Sequence, residues 1–382
     1  MASTRIARIE WGRLEGQRPR HAGSNARIGG HGLAVRPSLA RITTDDGSTG
    51  IGWSRASREE AQALVGQTFD DLFTATGGPV TTALGIEYPL WDLAGKRVGQ
   101  PVYALAAQIQ GIDPATLASP FRVPAYDTSL YFDDLHIPTE REAAALLASE
   151  ARSGYGRGHR AFKIKVGRGG RHMPLEEGTR RDVAIVHAVR EAVGPGLPIM
   201  LDANNGYNLN LTKRVLEETA ECGIFWMEEP FHEDVVLYRD LKAWLNEREL
   251  PVLVSDGEGQ ASPTLMEWAR EGAIDVVQYD ILSPGFTRWL EIGRQLDAWG
   301  RRSAPHHYGA HYGNYAGGHL AGPIRGFTYV EWDEATTLGL DGSAYRIEEG
   351  HVVLPNAPGF GLTLDDSAFA RAVADHGYTV SG

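Results

Sequence analysis

From about residue 121 the chain alternates short apolar runs with longer stretches whose apolar residues recur at helical spacing. Strands are predicted near 123–130, 161–166, 198–202, 224–228, 252–256, 275–280, 302–306 and 327–331. Between most of them lie helical stretches such as Arg180 to Val193, Leu211 to Cys222 and Pro263 to Glu271. Eight strands with helical crossovers over roughly 210 residues have the size of a TIM-type barrel. A doubly wound sheet alternates in the same way but usually carries a Gly-rich phosphate loop after its first strand. Here that position reads Tyr126-Asp-Thr-Ser-Leu130, so the barrel is preferred.

The first 120 residues have a different rhythm. Val35 to Thr43 reads as one strand, and Asp45 to Gly52 as a turn entering another. Residues 80–106 read as a helix: Ala83, Leu84, Ile86, Leu90, Trp91, Leu93 and Ala94 recur near helical spacing, with Pro89 predicted to kink it. The segment 340–382 has Gly/Pro punctuation at Pro355 to Gly361 and a short helix at Asp366 to His376. The pattern therefore predicts a mixed α+β unit over 1–120, with 340–382 packing back on it, and a barrel over 121–339.

Composition narrows the function classes. A chain of 382 residues is too long for one ordinary core, in keeping with two units. Hydrophobic content is 42%, and no run approaches the roughly 20 apolar residues of a membrane span. Met1 to Gly16 carries Arg5, Arg8, Glu10, Arg13 and Glu15 and lacks the apolar centre of a signal peptide. The only cysteine, Cys222, excludes an intramolecular disulfide and reads as a buried structural thiol, so a cytoplasmic location is expected. A net charge of −12 argues against nonspecific nucleic-acid binding. The expected partners are a small carboxylate substrate and further copies of the chain, with no nucleic acid and no membrane.

Placed on the predicted strands, the polar residues form one face. Asp202, Glu228 and Glu258 end three successive strands, about 26 and 30 residues apart, which is the repeat of one strand, one helix and two loops. Three carboxylates meeting at one barrel mouth repel one another unless a cation lies between them, and a hard divalent ion such as Mg²⁺ prefers oxygen ligands. Lys163 and Lys165, two apart on Phe162-Lys-Ile-Lys-Val166, point to the same side. The sixth strand ends at Asp280, the seventh at His306-His307 and the eighth at Glu331. Singly, each has an ordinary structural explanation: a solvated Lys-x-Lys face, a charged loop at Glu228-Glu229-Pro230, a helix N-cap at Asp280, partly buried histidines. Ionisable residues of complementary sign at the ends of strand after strand are hard to obtain from surface decoration.

These residue types suit removal of a proton beside a carboxylate. A substrate carboxylate can chelate one Mg²⁺ beside the three acids, and the metal stabilises the dianion left behind. Lys165, near another cation and a metal, has reason to be neutral and act as base. Lys163 would contact the substrate carboxylate. His306 comes from nearly the opposite side, with Asp280 to orient it, as a second base or as an acid for a leaving hydroxyl. The doubled histidine leaves His307 open; His306 is preferred on strand-end geometry, with His307 binding substrate.

Lys163-Ile-Lys165, Asp202-Ala-Asn204, Trp226-Met-Glu-Glu-Pro230, Gly257-Glu258, Gln278-Tyr-Asp280 and Ala304-Pro-His306 together resemble the enolase superfamily, mandelate racemase subgroup. Gly85 to Tyr103 resembles its capping-domain helix, and Thr43 to Trp53 its second hairpin. The resemblance implies a modified (β/α)7β barrel beneath an α+β cap built from both termini. It implies Asp202, Glu228 and Glu258 as Mg²⁺ ligands, Lys165 as one base and His306 with Asp280 as the dyad on the other face. It also implies Asn204 near the metal shell and Glu331 hydrogen-bonded to the developing enediolate. Gly285-Phe286 stands where the family usually shows Gly-Gly, so Phe286 is expected to narrow that loop. A further glycine, Gly259, follows the third ligand.

Within the subgroup the same machinery dehydrates, racemises and epimerises. Residues 17–32 hold Arg18, Arg20, Arg27, His21 and His31 and no acid, and suggest a lid over an anionic sugar acid. His307 to Tyr315 suggests a hydrogen-bonding pocket for a polyol. The first expectation is dehydration of an aldonate or aldarate to a 2-keto-3-deoxy acid. The alternative is a racemase or epimerase using Lys165 and His306 on opposite faces. A Zn²⁺ hydrolase built on the same barrel normally needs histidines on strand one, and Val123 to Thr128 has none.

Overall fold

The computed structural model describes residues 4–382. Among them, eight parallel strands close a barrel: Arg122–Leu130, Phe162–Lys165, Ile199–Asp202, Ile224–Glu228, Leu253–Asp256, Val276–Val277, Arg302–Ser303 and Val330–Trp332. Neighbours in this order pair in parallel, and the eighth strand returns to pair with the first. Hydrogen bonds from Ser303 to Gly326 and from Thr328 back to Ser303 close the remaining gap. Helices follow the first seven strands, from Glu140–Gly156 to Gly313–His319, and the eighth leads instead into the C-terminal segment. This is the modified (β/α)7β barrel.

Strand alternation sorts the side chains. Phe162, Ile164, Ile199, Leu201, Ile224 and Met227 face outward and join the main core under the helices. Tyr126, Met200, Trp226, Val276 and Ala304 face inward and form a separate apolar plug within the barrel. Lys163 shares that interior, and Lys165, Asp202 and Glu228 end the strands above the plug in register: Asp202 is paired with Lys165 on one side and with Glu228 on the other. The apolar plug keeps water out from below, so the charged layer can only be approached from the C-terminal mouth.

Both ends of the chain build the cap. Tyr378–Ser381, Ile6–Arg13, Ser38–Thr44 and Thr49–Trp53 form an antiparallel sheet in that order, with Asp366–His376 packed against Ile6–Arg13. A second small sheet joins Thr336–Thr337, Gly16–Ala22 and Gly32–Val35. The strand expected over Val35 to Thr43 is thus two, split at Arg36-Pro37 where the chain passes from one sheet to the other. The helix expected over 80–106 is also divided, into a 3-10 turn at Thr81–Ile86 and helices at Glu87–Val98 and Val102–Ile109. Pro89 lies in the first turn of its helix, where a missing N–H leaves no bond unmade, and causes no break. The break falls at Gly99, which takes the left-handed conformation (φ 68°) that ends the helix, followed by Pro101.

Phe286 lies apart from the mouth. It is fully buried between barrel and cap against Tyr88, Trp91 and Phe360, so it does not narrow the loop after the sixth strand. Gly285 before it is required, because a Cβ there would lie 1.9 Å from the Glu87 carboxylate. No described helix is long and apolar enough to cross a membrane.

Candidate active site

Asp202, Glu228 and Glu258 are buried at the barrel mouth, and each offers an oxygen within 4.8 Å of the others. Lys163, with no exposed side-chain surface, ties this layer together: its Nζ is 2.9 Å from Glu228, 3.2 Å from Glu331 and 3.5 Å from Asp202. Burial alone would lower its pKa, but Glu228 and Glu331 outweigh that and raise it well above the ordinary lysine value. Glu228 also accepts from Trp226 Nε1 and Gln278 Nε2, both at 3.0 Å. Burial and the neighbouring Asp202 raise its pKa, against the pull of the lysines.

Lys165 donates to Asp202 at the same level. Burial opposes its charge, but Asp202 prevails and the pKa is raised. The neutral base expected from its cationic neighbours is therefore not what these carboxylates alone produce: they hold the proton on Lys165.

On the other side His306 Nδ1 lies 2.5 Å from Asp280, and Nε2 lies 3.1 Å from Glu258. Burial would depress the imidazole, yet Glu258, Glu331 and Asp280 push it up to about 10, so it is an imidazolium with a proton to give. Gly259 has its reason here. In the left-handed conformation (φ 64°) its amide donates 3.1 Å to the other Asp280 oxygen, completing the orientation of the dyad.

His307 does not reach this chamber. Successive residues at the strand end face opposite ways, and its ring turns back to the Glu331 carbonyl, 2.6 Å from Nε2. His311, Tyr312 and Tyr315 are likewise buried, with His311 hydrogen-bonded to Thr337, so most of the expected polyol pocket is packing between barrel and cap. Among the described residues His306, His307 and His311 form no metal cluster. Glu331 is fully occupied: one oxygen accepts from Thr128 and Lys163, the other from the His307 and Tyr308 amides. Burial would raise its pKa, but Lys163 and His306 hold it well below the ordinary range. Glu331 thus orders the donors around it, Lys163 and the two amides after the seventh strand.

The segment expected as a lid lies against the barrel, anchored by its arginines. Arg18 pairs with Asp333 at 2.9 Å, Arg20 with Asp133 and Glu150, and Arg27 with Glu229 at 3.4 Å and Glu258 at 3.2 Å. The acids that match this acid-free loop all come from the barrel and its loops, which sequence order hides. Asn204 donates 2.9 Å to Glu229 and 3.3 Å to Glu258, beside the three acids. Glu229 and Gln278, which the sequence marks only as members of motifs, also belong to the site, as do Thr128 and Tyr131, which it does not mark. Tyr131 presents its ring 5.2 Å from Lys165 Nζ.

The donor set fits a hard divalent cation. It is all oxygen, buried and convergent, and beside it Asn204 Oδ1 is shut from solvent without a hydrogen bond.

Comparison with known proteins agrees with this geometry. A galacturonate dehydratase from Geobacillus sp., solved with D-galacturonate and 5-keto-4-deoxy-D-galacturonate, is 49% identical, matches 100% of both chains and superposes with a TM-score of 0.94. A mandelate racemase/muconate lactonizing protein from Geobacillus sp., solved with magnesium and tartrate, is 49% identical over 100% of this chain and 98% of its own, with a TM-score of 0.95. Arabinonate dehydratase from Saccharolobus solfataricus is 26% identical over 373 residues, 88% of this chain and 91% of its own. Residues 146–368 match the enolase C-terminal domain-like family. The chain belongs to the enolase superfamily, in its mandelate racemase subgroup.

Proposed function

We propose that this chain is a Mg²⁺-dependent hydro-lyase that dehydrates a hexuronate, with D-galacturonate the first candidate. One observation carries the reading: a buried three-acid cluster is flanked by Lys165 on one strand and by an Asp280-oriented His306 on a distant one. The relative that binds D-galacturonate and its keto-deoxy product supports the choice of substrate.

Asp202, Glu228 and Glu258 would hold the metal. Mg²⁺, when bound, supplies positive charge to the substrate carboxylate and to Asp202, relaxing the hold of Asp202 on the Lys165 proton. Lys165 takes the proton from the carbon next to the carboxylate, which in a hexuronate is C5. His306 gives its Nε2 proton to the C4 hydroxyl, which leaves as water. The resulting enol takes a solvent proton at C4 and becomes the 5-keto-4-deoxy acid. In an aldonate or aldarate the same steps would begin at C2 and give a 2-keto-3-deoxy acid. Lys163 places a permanent charge beside the carboxylate-binding oxygens. Glu331 and Asn204 position Lys163 and the acids. The lid and residues 1–120 with 340–382 would exclude water above the barrel of 121–339. The single buried cysteine suits a cytoplasmic setting, and a homo-oligomer is proposed.

Enzyme with Mg²⁺ and D-galacturonate should accumulate a semicarbazide-reactive keto acid. Exchange of the C5 proton with no keto acid would favour the racemase or epimerase reading, for which the opposed Lys165 and His306 are equally placed.

A further inference from the structure

Asp182 lies on the helix Leu175–Val193, after the second barrel strand, and takes no part in the steps above, yet its side chain is fully buried. Both of its carboxylate oxygens are in use. One accepts from the Gly167 amide at 2.8 Å, the Arg168 amide at 3.2 Å and the Tyr207 hydroxyl at 2.8 Å. The other accepts from the Arg168 guanidinium at 2.7 Å. A carboxylate this deep is costly unless its hydrogen bonds are met, and these donors meet them.

The donors come from chain segments that leave neighbouring strands. Gly167 and Arg168 follow Lys165, and Arg168 donates 3.1 Å back to the Lys165 carbonyl. Tyr207 follows Asp202 and Asn204, and its amide donates 3.2 Å to the carbonyl of Pro230, just beyond Glu228. The first two segments touch with no room between them. A Cβ on Gly167 would lie 3.0 Å from the Ala203 carbonyl oxygen, and one on Gly170 2.8 Å from the Gly206 carbonyl oxygen. Burial and the neighbouring Asp182 raise the Tyr207 hydroxyl well above its ordinary pKa, so it stays a donor. One buried carboxylate thus gathers the ends of the strands that bear Lys165, Asp202 and, through Tyr207, Glu228.

We infer that Asp182 and Tyr207 are positioning residues for proton removal, clamping the segment after Lys165 to the segment after Asp202 so that the base keeps its place relative to the metal-binding acids. The inference rests on the proposed dehydratase reading. Lys165 must reach a carbon whose position the acids and their metal set, and an error of about 1 Å in that relation can slow a reaction roughly 10²-fold. The clamp therefore acts on the proton-transfer step and leaves the acids' own convergence intact.

The test uses Tyr207→Phe, which removes one hydroxyl and keeps the ring in the core, and Asp182→Asn, which keeps the shape and removes the charge. For the wild type and both variants, kcat and KM are measured on D-galacturonate with hydrogen or deuterium at C5, Mg²⁺ affinity by calorimetry and Tm by thermal melting. We expect Tyr207→Phe to lower kcat about 10- to 100-fold with KM and Mg²⁺ affinity within about threefold, and to show a C5 isotope effect on kcat at least as large as that of the wild type. Asp182→Asn should lose more in the same pattern; if it does not fold, Tyr207→Phe decides alone. A Tyr207→Phe protein that melts lower but keeps the wild-type kcat, or that loses kcat and Mg²⁺ affinity together, overturns the positioning role and leaves the proposed function standing. A wild-type enzyme that forms no keto acid from D-galacturonate overturns that function and this inference with it.

Discussion

At the scale of single residues, one histidine differs from its neighbour by the side of the strand on which it falls. His306 meets Asp280 and Glu258, while His307 meets the Glu331 carbonyl. His306→Asn should therefore lower kcat by at least about 10²–10⁴, the range for losing a general acid, with Mg²⁺ affinity retained. His307→Asn should leave kcat within about tenfold and act mainly on thermal stability, which paired steady-state kinetics and melting curves will separate. Lys165→Ala should abolish dehydration and also stop exchange of the C5 proton; exchange that persists would place the base elsewhere. The acids, lysines and His306 were legible in sequence because each ends a strand with its own short apolar signature. Tyr131 has no such signature, and Arg27, legible only as part of a basic loop, gives no sign in sequence of its Glu229 and Glu258 partners on distant elements.

At the scale of elements, the end of the second barrel strand is held by a residue that no motif marks. Arg168 is fully buried between Asp134 and Asp182 and also donates to the Lys165 carbonyl at 3.1 Å. Removing one partner of a buried charge network leaves the others uncompensated. Arg168→Ala should cost about 3–5 kcal/mol of unfolding free energy, read from denaturant titration, and should loosen the strand that carries Lys165. Element types along the barrel could be read from periodicity, since apolar runs there alternate cleanly with helical stretches. The cap was harder. Pro89 suggested a kink, but a proline in a first helical turn is harmless and Gly99 makes the break. One strand read from apolar content proved to be two, because Arg36-Pro37 passes the chain between sheets.

At the scale of the whole molecule, the cap is joined to the barrel by contacts between residues about 200 positions apart. Glu87 on the cap accepts 2.8 Å from the Thr287 amide at the start of a barrel helix, and Tyr88 donates 2.6 Å to the Ile281 carbonyl. Burial raises the Glu87 carboxyl to about 7, so the folded state binds its proton more tightly than the unfolded chain does. Its contribution is full below the unfolded value near 4.5 and is lost as pH rises towards 7. Glu87→Gln should flatten stability across that window by on the order of 2–3 kcal/mol, measured by chemical denaturation at several pH values. A wild-type protein that instead gained stability from this group with rising pH would show that the fold favours the ionised carboxylate, and no slope would show the group to be well solvated. Such long-range pairings have no local signal, which is why the cap's docking was legible only as an expectation of packing.

The central claim is that one buried acid cluster, with Lys165 and His306 on its two sides, eliminates water from a hexuronate. It is tested most directly by following D-galacturonate in D₂O by NMR, with Mg²⁺ and again after EDTA. The account expects a 5-keto-4-deoxy product carrying one solvent deuterium at C4, no product after chelation, and full recovery when Mg²⁺ is restored. Deuterium at C5 of recovered sugar with no keto product, or turnover that survives complete metal removal, would contradict it.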